Sequence, residues 1–467
     1  MLLVLRGIAR VCRYDHGCSE PSVAAWPRLP GIAVPARGGP GAGDRAAGGS
    51  GVRVLIVAVG SRGDVAPFTG LGTALRAAGH GVTIAGYRMF ADLVTGCGLG
   101  FWPLPGDPRL LEAARWQRGA AGPAGAARLV GLIRDHMREV HAGILAAARG
   151  NADVLLLAGM SSIGGYHIAE GLGLPSMGLG LQPVYPTRAF PPSIVTARSL
   201  GRWGNLAAGK ALVVTGAPAL AGPVRELRAE LGLPRLGTYD AVFRRQDAGR
   251  WPGLCGFSPA VVPRPADWRD GLEVVGYWWP EWPASWSPPA ELQSFLDAGP
   301  PPVFTGFGSM TPPGADRLSD LAAAAGRMAG VRMVIQAGQA GLAKAGEPAH
   351  DSVVIGEVPH DWLFPRMAAV VHHAGAGTAA AGLRAGVPAV SVPVIGDQPF
   401  WAARLAALGT GPRPIPYQRL SASALAAAIR DAVTRPSYRA RAQVLAGRLA
   451  GEDGAAPVVE MLNRLPN

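Results

Sequence analysis

The sequence predicts an α/β protein in which two doubly wound domains face a central cleft. Short apolar, β-branched runs such as VRVLIVAVG recur along the chain, Ala- and Leu-rich helical segments alternate with them, and one Pro-rich stretch divides the set in two. Such an alternation is typical of parallel sheets that carry helices on both faces. The 467 residues suffice for about two to three domains of ~150 residues each.

Ordered structure is expected to begin at Val52. Residues 1–51 show no hydrophobic period and end in GGPGAGDRAAGGSG, which is too poor in apolar side chains to offset the entropy of ordering. We interpret this stretch as a disordered leader, and a translation start assigned too early stays open as an alternative.

The first domain is predicted over residues 52–275. It opens with an apolar strand from Val52, a loop over 61–67, a helix over 68–78 and a second strand over 82–85. The same order returns later in this domain, where the pattern predicts two further strands and the helix between them: 152–158, 163–172 and 175–179.

A Pro-rich segment, GYWWPEWPASWSPP, separates the two domains at 276–289. Proline removes backbone donors and fixes φ, so the segment is predicted to be a linker. A second domain follows over 290–435, with strands at 302–306, 332–337, 353–355, 368–372 and 389–392. Residues 436–467 form the last unit, in which a helix over 438–462 is expected to cross back onto the first domain.

Composition excludes several classes of protein. The four cysteines, Cys12, Cys18, Cys97 and Cys255, give neither a disulfide framework nor a metal-ligand spacing, which favours a reducing cytoplasm. No run reaches the ~18 apolar residues of a membrane-spanning helix. The net charge of +12 comes almost entirely from scattered arginines, which indicates a generally basic surface and no nucleic-acid partner. A weak peripheral contact with a membrane surface stays open.

The most informative segment is a Gly-rich turn at 374–378, between a strand that ends at His372 and a helix. Small residues allow close backbone approach, and the amides and dipole at the start of a helix attract an anion. His373 and Thr378 add side-chain donors. The turn therefore predicts a phosphate or diphosphate site, although such turns also serve simply to end strands.

Two further loops follow strands of the same domain. Asp397 and Gln398 offer neighbouring acceptors and donors for sugar hydroxyls, and Ser309 brings a hydroxyl to the same edge. The alternative for Asp397 is a cap of the helix that follows it. A diphosphate site and a sugar site in one domain indicate a nucleotide-sugar ligand.

Residues 357–405, EVPHDWLFPRMAAVVHHAGAGTAAAGLRAGVPAVSVPVIGDQPFWAARL, closely resemble the donor-binding signature of inverting glycosyltransferases with the GT-B fold. The branch is that of sterol glucosyltransferases and related macrolide and glycopeptide glycosyltransferases. GSRGDVAPFTGLGTALRAAGHGVTIAG resembles its N-terminal motif, and HIAEGLGLPSMGLGLQPVYPTRAFPP its middle segment. The resemblance covers residues 52–467. It departs at Ala374, where the family usually has Gly.

The resemblance implies a GT-B fold and transfer of a hexose, glucose above all, from a UDP- or dTDP-sugar co-substrate. His373 would bind the diphosphate, Asp397 and Gln398 would hold sugar hydroxyls, and Asp64 occupies the position of the general base. The remaining donor-side positions comprise the turn and the residues near the leaving phosphates: Gly375, Ala376, Gly377, Thr378, Ser61 and Arg62.

A physical argument independent of the resemblance also supports Asp64 as the general base. An acceptor hydroxyl that attacks the anomeric carbon must lose its proton, and a carboxylate at a strand-end loop can take it. Direct displacement then inverts the configuration. A helix cap or a partner of Arg62 is the structural alternative. The chain contains no Asp-X-Asp pair, so we predict metal independence, no metal site and no cofactor.

The acceptor site is expected in loops of the first domain, with Met160, Tyr185 and Phe190 as candidate contacts. Trp102, Trp116 and Trp203 are further candidates for an apolar wall, and each of these aromatic residues could equally be ordinary core. An apolar wall suits a lipophilic alcohol such as a sterol or polyketide. Two other functions stay open, a sugar-nucleotide epimerase of the same fold and a non-catalytic nucleotide-sugar or lipid-binding relative.

Overall fold

The structure, a computed structural model, describes residues 51–107, 122–215, 217–238, 240–308, 317–337 and 351–465. Within these ranges the strands form two parallel sheets, which confirms the predicted α/β architecture of two doubly wound domains. The predicted leader, apart from Gly51, lies outside the described residues. Ser309 and Trp116 also lie outside them.

The first sheet has the strand order β3-β2-β1-β4-β5-β6-β7. Strand β1 lies near its centre, where Ile56 pairs with Ile84 of β2 and Leu156 of β4. All three side chains are fully buried, as expected for apolar strands covered by helices on both faces. The strands are β1 Arg53–Ala58, β2 Gly81–Tyr87, β3 Gly100–Leu104, β4 Val154–Ala158, β5 Ser176–Gly180, β6 Gly253–Cys255 and β7 Leu272–Val274.

The second sheet has the order β10-β9-β8-β11-β12. Strand β11 and the edge strand β12 carry the predicted loops of His373 and Asp397 at their carboxyl ends, where parallel α/β sheets bind ligands. The strands are β8 Val303–Gly306, β9 Met333–Gln336, β10 Ser352–Ile355, β11 Ala369–His372 and β12 Ala389–Ser391.

The helices of the first domain pack on both faces of its sheet. They are α1 Arg62–Val65, α2 Pro67–Ala77, α3 Ala91–Thr95, α4 Gly122–Ala148, α5 Ser161–Leu172, α6 Gly201–Thr215, α7 Ala217–Glu230 and α8 Ala241–Ala248. The second domain and the C-terminal unit contribute α9 Ala290–Asp297, α10 Leu318–Ala329, α11 His360–Leu363, α12 Ala376–Arg384, α13 Gln398–Leu408, α14 Ala422–Thr434, α15 Pro436–Ala450 and α16 Ala456–Asn463.

Two features of the first domain differ from the sequence prediction. The segment 61–67, predicted as a loop, contains the one-turn helix α1, because Ser61 and Asp64 form a capping box at its start. Strands β3, β6 and β7 were not predicted. β6 and β7 have three residues each, too short for a hydrophobic period to be visible.

The prediction of one C-terminal helix over 438–462 is wrong. The chain forms α15 and α16, and the break between them includes Gly454. A Cβ at Gly454 would lie 2.7 Å from the carbonyl oxygens of Gly276 and Tyr277, so the break lets the chain pass closely over the linker. Beyond it, Val458 and Leu462 are buried in the core beneath the first sheet.

The linker 276–289 has no helix or strand and is held by specific contacts. Trp278 is buried, donates from Nε1 to the Gly454 carbonyl at 2.7 Å and packs on Phe68 with the ring centres 5.6 Å apart. The Glu281 amide donates to Thr69 Oγ1 at 2.8 Å. The linker therefore fastens α2 of the first domain to the C-terminal segment.

No single helix in the described part of the chain is both long enough and apolar enough to span a membrane. Gly201–Thr215 and Leu220–Glu230 meet these two criteria only when they are taken together, and they are bent by 60° relative to each other.

Candidate functional site

Strand β11 delivers a Gly-rich turn to the edge of the second sheet. The strand ends at His372, Gly375 has extended backbone as the N-cap, and α12 begins at Ala376. The Ala379 amide donates to the Gly375 carbonyl at 2.9 Å, which is the first turn of the helix. The amides of Ala376, Gly377 and Thr378 precede that bond and have no acceptor within the helix. This helix start therefore attracts an anion.

Ala374 adopts a left-handed backbone, with φ of +63°, inside this turn. An L-residue pays a steric cost there that Gly avoids. The Ala374 amide donates to His372 Nδ1 at 2.9 Å, and both residues are fully buried. His372 thus holds the turn from within the sheet, and burial together with the neighbouring His373 and His360 lowers its pKa to about 3.

The imidazole of His373 lies between two glycines. A Cβ at Gly308 would be 3.0 Å from His373 Cε1, and a Cβ at Gly375 would be 2.5 Å from His373 Nε2. Burial lowers the His373 pKa to about 4, so the ring is neutral at pH 7 and can donate one hydrogen bond. His373 Nδ1 is buried and has no hydrogen-bond partner in the structure. Such an atom at a helix start is suited to a ligand oxygen.

His360 belongs to the same neighbourhood, although the sequence analysis did not single it out. Its ring stacks on Phe364, with centroids 4.3 Å apart. Burial is the main reason that its pKa is lowered to about 4, and electrostatic interactions with Arg62 and His373 contribute to the same shift. Arg62 of the first domain therefore acts electrostatically on the donor side of the second. A motif search could have found His360 only through its position in the resembling segment.

Asp397 and Gln398 stand at the start of α13 and are both nearly buried. Asp397 Oδ2 accepts a hydrogen bond from Trp401 Nε1 at 2.7 Å, and the Asp397 side chain makes no capping hydrogen bond to the helix. Gln398 Oε1 accepts from the amides of Val394 and Ile395 at 2.8 and 3.0 Å. With that oxygen committed to the loop, the Gln398 amide group is oriented to act as a donor.

The pKa of Asp397 is raised to about 6. Burial is the main cause, the Trp401 hydrogen bond opposes it, and the negative charge of Asp64 adds to it. Asp64 therefore lies within electrostatic range of the donor-side carboxylate, from the opposite domain.

Asp64 is the third residue of the four-residue helix α1. Its Oδ2 accepts from the Ser61 amide at 2.7 Å and from Ser61 Oγ at 2.9 Å. Gly60 has a φ of +153°, and a Cβ there would lie only 2.3 Å from Asp64 Oδ2. The carboxylate thus needs Gly60 beside it. Asp64 thus completes a capping box and also acts electrostatically on Asp397 of the second domain.

Arg62 of the first domain pairs with Glu357 of the second. Its Nη1 lies 3.1 Å from Glu357 Oε2, and its guanidinium is 5.5 Å from the centre of the Trp282 ring. Trp282 in turn lines a cavity of about 340 Å³ beside the linker, with Trp286 and Trp362 among its other walls. Arg62 therefore connects the two domains and the linker in this conformation.

A second pair that the sequence analysis missed, Tyr87 and His136, lies within electrostatic range of Asp64. The Tyr87 hydroxyl is 2.7 Å from His136 Nε2, and the charge of Asp64 raises the pKa of Tyr87 in addition to the larger effect of burial. A Cβ at Gly106 would touch His136 Cε1 at 2.4 Å. The residues come from β2 and α4 and are far apart in sequence, so spacing alone could not reveal the pair.

The three acceptor candidates occupy different surroundings. Met160 precedes α5 and is exposed, while Tyr185 packs edge-on against Trp268 at 5.8 Å, in the manner of a core residue. Phe190 meets Phe400 of α13 at 5.7 Å. The loop 181–192 thus reaches the helix that carries Asp397 and Gln398.

Helix α13 also connects the donor site to the first domain. Trp401 packs edge-on against Phe257 at 6.1 Å, and the Arg404 side chain donates to the Val261 carbonyl. The residues that hold Asp397 in place therefore also hold the domains together.

Among the described residues, no cluster of three or more His, Cys, Asp or Glu side chains could hold a metal ion. Cys97 and Cys255 are buried free thiols. Trp203 lies on the outer surface, with the Arg188 guanidinium 4.4 Å from its ring centre.

Two family models match the chain. The glycosyltransferase family 28 N-terminal domain covers residues 54–191, and the erythromycin biosynthesis protein CIII-like C-terminal domain covers residues 333–465. The chain is 33% identical over 419 residues to the sterol 3-beta-glucosyltransferase UGT80A2 of Arabidopsis thaliana, which is 88% of this chain and 65% of that protein. It is 36% identical to the O-mycaminosyltylonolide 6-deoxyallosyltransferase of Streptomyces fradiae, over 86% of this chain and 95% of that enzyme. The chain belongs to the glycosyltransferase family that contains these sterol and macrolide glycosyltransferases.

The glycosyltransferase also shares its fold with solved structures. The Streptomyces sp. SF2575 glycosyltransferase SsfS6, complexed with thymidine diphosphate, matches with a TM-score of 0.58 at 24% identity, over 89% of this chain and 100% of that one. The two sheets of the glycosyltransferase therefore form the GT-B fold that the resemblance implied.

Proposed function

We propose that this glycosyltransferase moves a hexose, with glucose as the first candidate, from a UDP- or dTDP-sugar to a hydroxyl of a lipophilic acceptor, with inversion and without a metal ion. The observation that carries the proposal is the unpartnered, buried His373 Nδ1 beside the start of α12. Asp64 of the first domain acts electrostatically on Asp397, which belongs to the same domain as His373.

The donor half of the proposal rests on the chemistry of the turn. Three amides that precede the first helical bond, the helix dipole and a neutral imidazole donor suit a diphosphate. These groups are uncharged, so the leaving diphosphate would be stabilised by preorganised dipoles. The thymidine diphosphate complex of SsfS6, a protein of the same fold, supports a nucleoside diphosphate as the ligand.

Asp397 and Gln398 suit the sugar part of the donor. Because Trp401 engages only one oxygen of Asp397, the other can accept from a hydroxyl, while the Gln398 amide can donate to a neighbouring one. A hexose held at the start of α13 would lie between the phosphate turn and the first domain.

The proposed reaction is a single displacement. The acceptor oxygen attacks the anomeric carbon as Asp64 takes its proton, and the bond from that carbon to the diphosphate oxygen breaks with its electron pair. Attack from the face opposite the leaving group inverts the anomeric configuration. The transition state resembles an oxocarbenium ion, as in glycoside hydrolysis, and the negative charge of Asp64 stabilises it.

The acceptor half rests on the loop 181–192 and on the relatives. Phe190 brings an apolar side chain to the donor helix, and the two relatives act, by their names, on a sterol and on a tylonolide derivative. Both are lipophilic alcohols. We therefore favour an acceptor of that class.

The test is a transfer assay with UDP-glucose and dTDP-glucose, a sterol and a macrolide aglycone, with and without EDTA. We expect nucleoside diphosphate release only when an alcohol is present, a β-linked product from an α-linked donor by NMR, and unchanged turnover in EDTA. Release without an alcohol, an α-linked product or a requirement for Mg²⁺ or Mn²⁺ would contradict the corresponding part of the proposal.

A further inference from the structure

Helix α6 presents an apolar face to solvent. Trp203, Lys210 and Val214 follow one another at intervals of seven and four residues, so they lie on one side of the helix, and all three are exposed. The opposite side carries Asn205, which is buried. A helix at the surface of a globular protein normally shows the reverse pattern, with polar residues outside.

The loop before α6 extends this face. Ile194, Val195 and Leu200 are 44%, 50% and 54% exposed, and Trp203 is 68% exposed. Of the twelve large hydrophobic side chains that are exposed in the described ranges, five lie between residues 194 and 214. Such a concentration of exposed apolar side chains indicates an interaction surface and not the scatter that is ordinary on proteins. We call it the α6 face.

Positive charge predominates along the α6 face and the chain around it. Residues 171–225 contain no Asp or Glu, and the basic residues in this stretch are Arg188, Arg198, Arg202, Lys210 and Arg225. The nearby Asp267 accepts hydrogen bonds from Thr187 Oγ1 and the Arg188 amide, at 2.6 and 2.7 Å. Glu226, just beyond the stretch, forms an ion pair with Arg138. The α6 face is therefore apolar and cationic together.

We propose that the α6 face docks on the surface of an anionic lipid bilayer, from which the acceptor enters the enzyme. Tryptophan and aliphatic side chains among cations are typical of helices that lie in the interface plane. Each cation close to an anionic surface contributes about 1 kcal/mol of attraction. A second copy of the chain is a poor partner by comparison, because it would oppose two faces of the same charge. The part of this inference that concerns the acceptor rests on the proposed function.

The underside of α6 connects this face to the acceptor loop. Asn205 Oδ1 accepts from the Leu200 amide at 2.9 Å, and its Nδ2 donates to the Arg188 carbonyl at 3.2 Å. A Cβ at Gly209 would lie 2.8 Å from Pro186 Cα, so the helix packs directly on the loop 181–192. Phe190 of that loop contacts Phe400 of the donor helix. A lipophilic alcohol that leaves a bilayer at α6 would therefore enter beside the proposed transfer site.

Vesicle co-sedimentation of the full chain tests the proposal. Vesicles of phosphatidylglycerol and phosphatidylcholine are compared with vesicles of phosphatidylcholine alone, at low and high salt. We expect binding to the anionic vesicles that weakens with salt. The variant Trp203→Ser/Val214→Ser should lower the partition coefficient about tenfold, because it removes apolar contact area. Lys210→Glu should lower it as well.

The matched control is Met328→Ser/Val444→Ser, which changes two similarly exposed apolar side chains, one on the second domain and one on the C-terminal unit. It should bind vesicles as the wild type does. Three results would overturn the proposal: no binding of the wild type to anionic vesicles, equal binding of Trp203→Ser/Val214→Ser, or a wild-type dimer in light scattering that this variant converts to monomer.

Failure of this proposal is distinguishable from failure of the proposed function. Both double variants should retain the wild-type thermal shift with the nucleotide-sugar and the wild-type turnover with a detergent-dispersed acceptor. Vesicle binding that persists without any donor binding would contradict the proposed function and leave the docking surface intact.

Discussion

Asp64 of the first domain raises the pKa of Asp397 of the second by its negative charge. The two carboxylates come from loops more than 300 residues apart, and each is held by its own hydrogen bonds, Asp64 by Ser61 and Asp397 by Trp401. Two like charges that face one cleft are unfavourable unless a ligand separates them or uses them. The arrangement suits a sugar held by one carboxylate and attacked by an alcohol that the other deprotonates.

Replacing Asp64 with Asn should lower the rate of transfer by a factor of about 10² to 10⁴, the usual contribution of a general base. The Asn carbonyl can still accept from the Ser61 amide and hydroxyl, so folding and donor affinity should be retained. Stopped assays with saturating donor and acceptor, together with donor titration by calorimetry, measure both quantities.

Ser61→Ala is the matched control for that substitution. It removes the hydroxyl that donates to Asp64, and with it the Ser61 side-chain half of the capping box, and it leaves the carboxylate in place. Its turnover should therefore stay within about tenfold of the wild type, since a single hydrogen bond contributes roughly 1 kcal/mol. Asp64→Asn turnover equal to that of Ser61→Ala would remove Asp64 from the mechanism.

Asp397 should make both stability and donor binding depend on pH. Its pKa of about 6 in the folded protein lies above the ordinary value of 3.8, so the unfolded chain ionises first as the pH rises. The free energy of unfolding should consequently fall between about pH 4 and pH 6, by up to about 3 kcal/mol from this group. Comparison of urea midpoints for the wild type and Asp397→Asn across that range isolates the effect.

Donor affinity should rise with pH over the same range in which the free energy of unfolding falls. An ionised Asp397 accepts stronger hydrogen bonds from sugar hydroxyls than a neutral one. Affinity for the nucleotide-sugar should therefore weaken as the pH falls through about 6 in the wild type, whereas affinity for the free nucleoside diphosphate should not. If Asp397→Asn showed the same pH profile as the wild type, another group would be responsible.

The Arg62–Glu357 ion pair should contribute little to stability. Both side chains are partly exposed, and such pairs are usually worth 0 to about 1 kcal/mol. We expect Glu357→Gln to leave the melting temperature nearly unchanged and to retain donor affinity. Arg62→Gln should weaken donor binding, because it removes a positive charge from the region of His360 and His373. Equal loss of donor affinity in both variants would assign the effect to the ion pair itself.

Ala374 offers a test of the phosphate turn. Its left-handed backbone is tolerable for Ala but is a severe outlier for a β-branched residue. Ala374→Val should therefore destabilise the protein by more than about 2 kcal/mol and abolish donor binding. Ala374→Gly should stay within about 1 kcal/mol of the wild type, since relief of strain is offset by the lost methyl burial and by a more flexible unfolded chain. Thermal unfolding with and without nucleotide checks both variants.

Much of the fold could be predicted from sequence because its strands are buried on both faces. The runs at β1, β4 and β11 are continuous and apolar, and helices with clear ends follow them. Three-residue strands such as β6 carry no period, so they appear only through pairing with neighbours. A helix cap at Asp64 could be proposed from the sequence, but the one-turn helix α1 that Ser61 and Asp64 cap is too short to show a hydrophobic period.

The residues of the candidate site also differ in whether local sequence could reveal them. His373, Asp397 and Gln398 are close to one another in sequence and could be proposed from local motifs. The Tyr87–His136 contact and the pairing of Arg62 with Glu357 depend on how elements far apart in the chain fold together. No spacing rule contains that information.

The central claim is that the turn at His373 binds the diphosphate of a nucleotide-sugar. A thermal-shift panel of UDP-, dTDP- and GDP-sugars tests it most directly, because a ligand that binds only the folded state raises the melting temperature. We expect a UDP- or dTDP-sugar at a hundredfold excess over its Kd to raise the midpoint by several degrees, corresponding to about 2.7 kcal/mol, and His373→Ala to lose most of that shift. No shift with any member of the panel, or an undiminished shift in His373→Ala, would contradict the account.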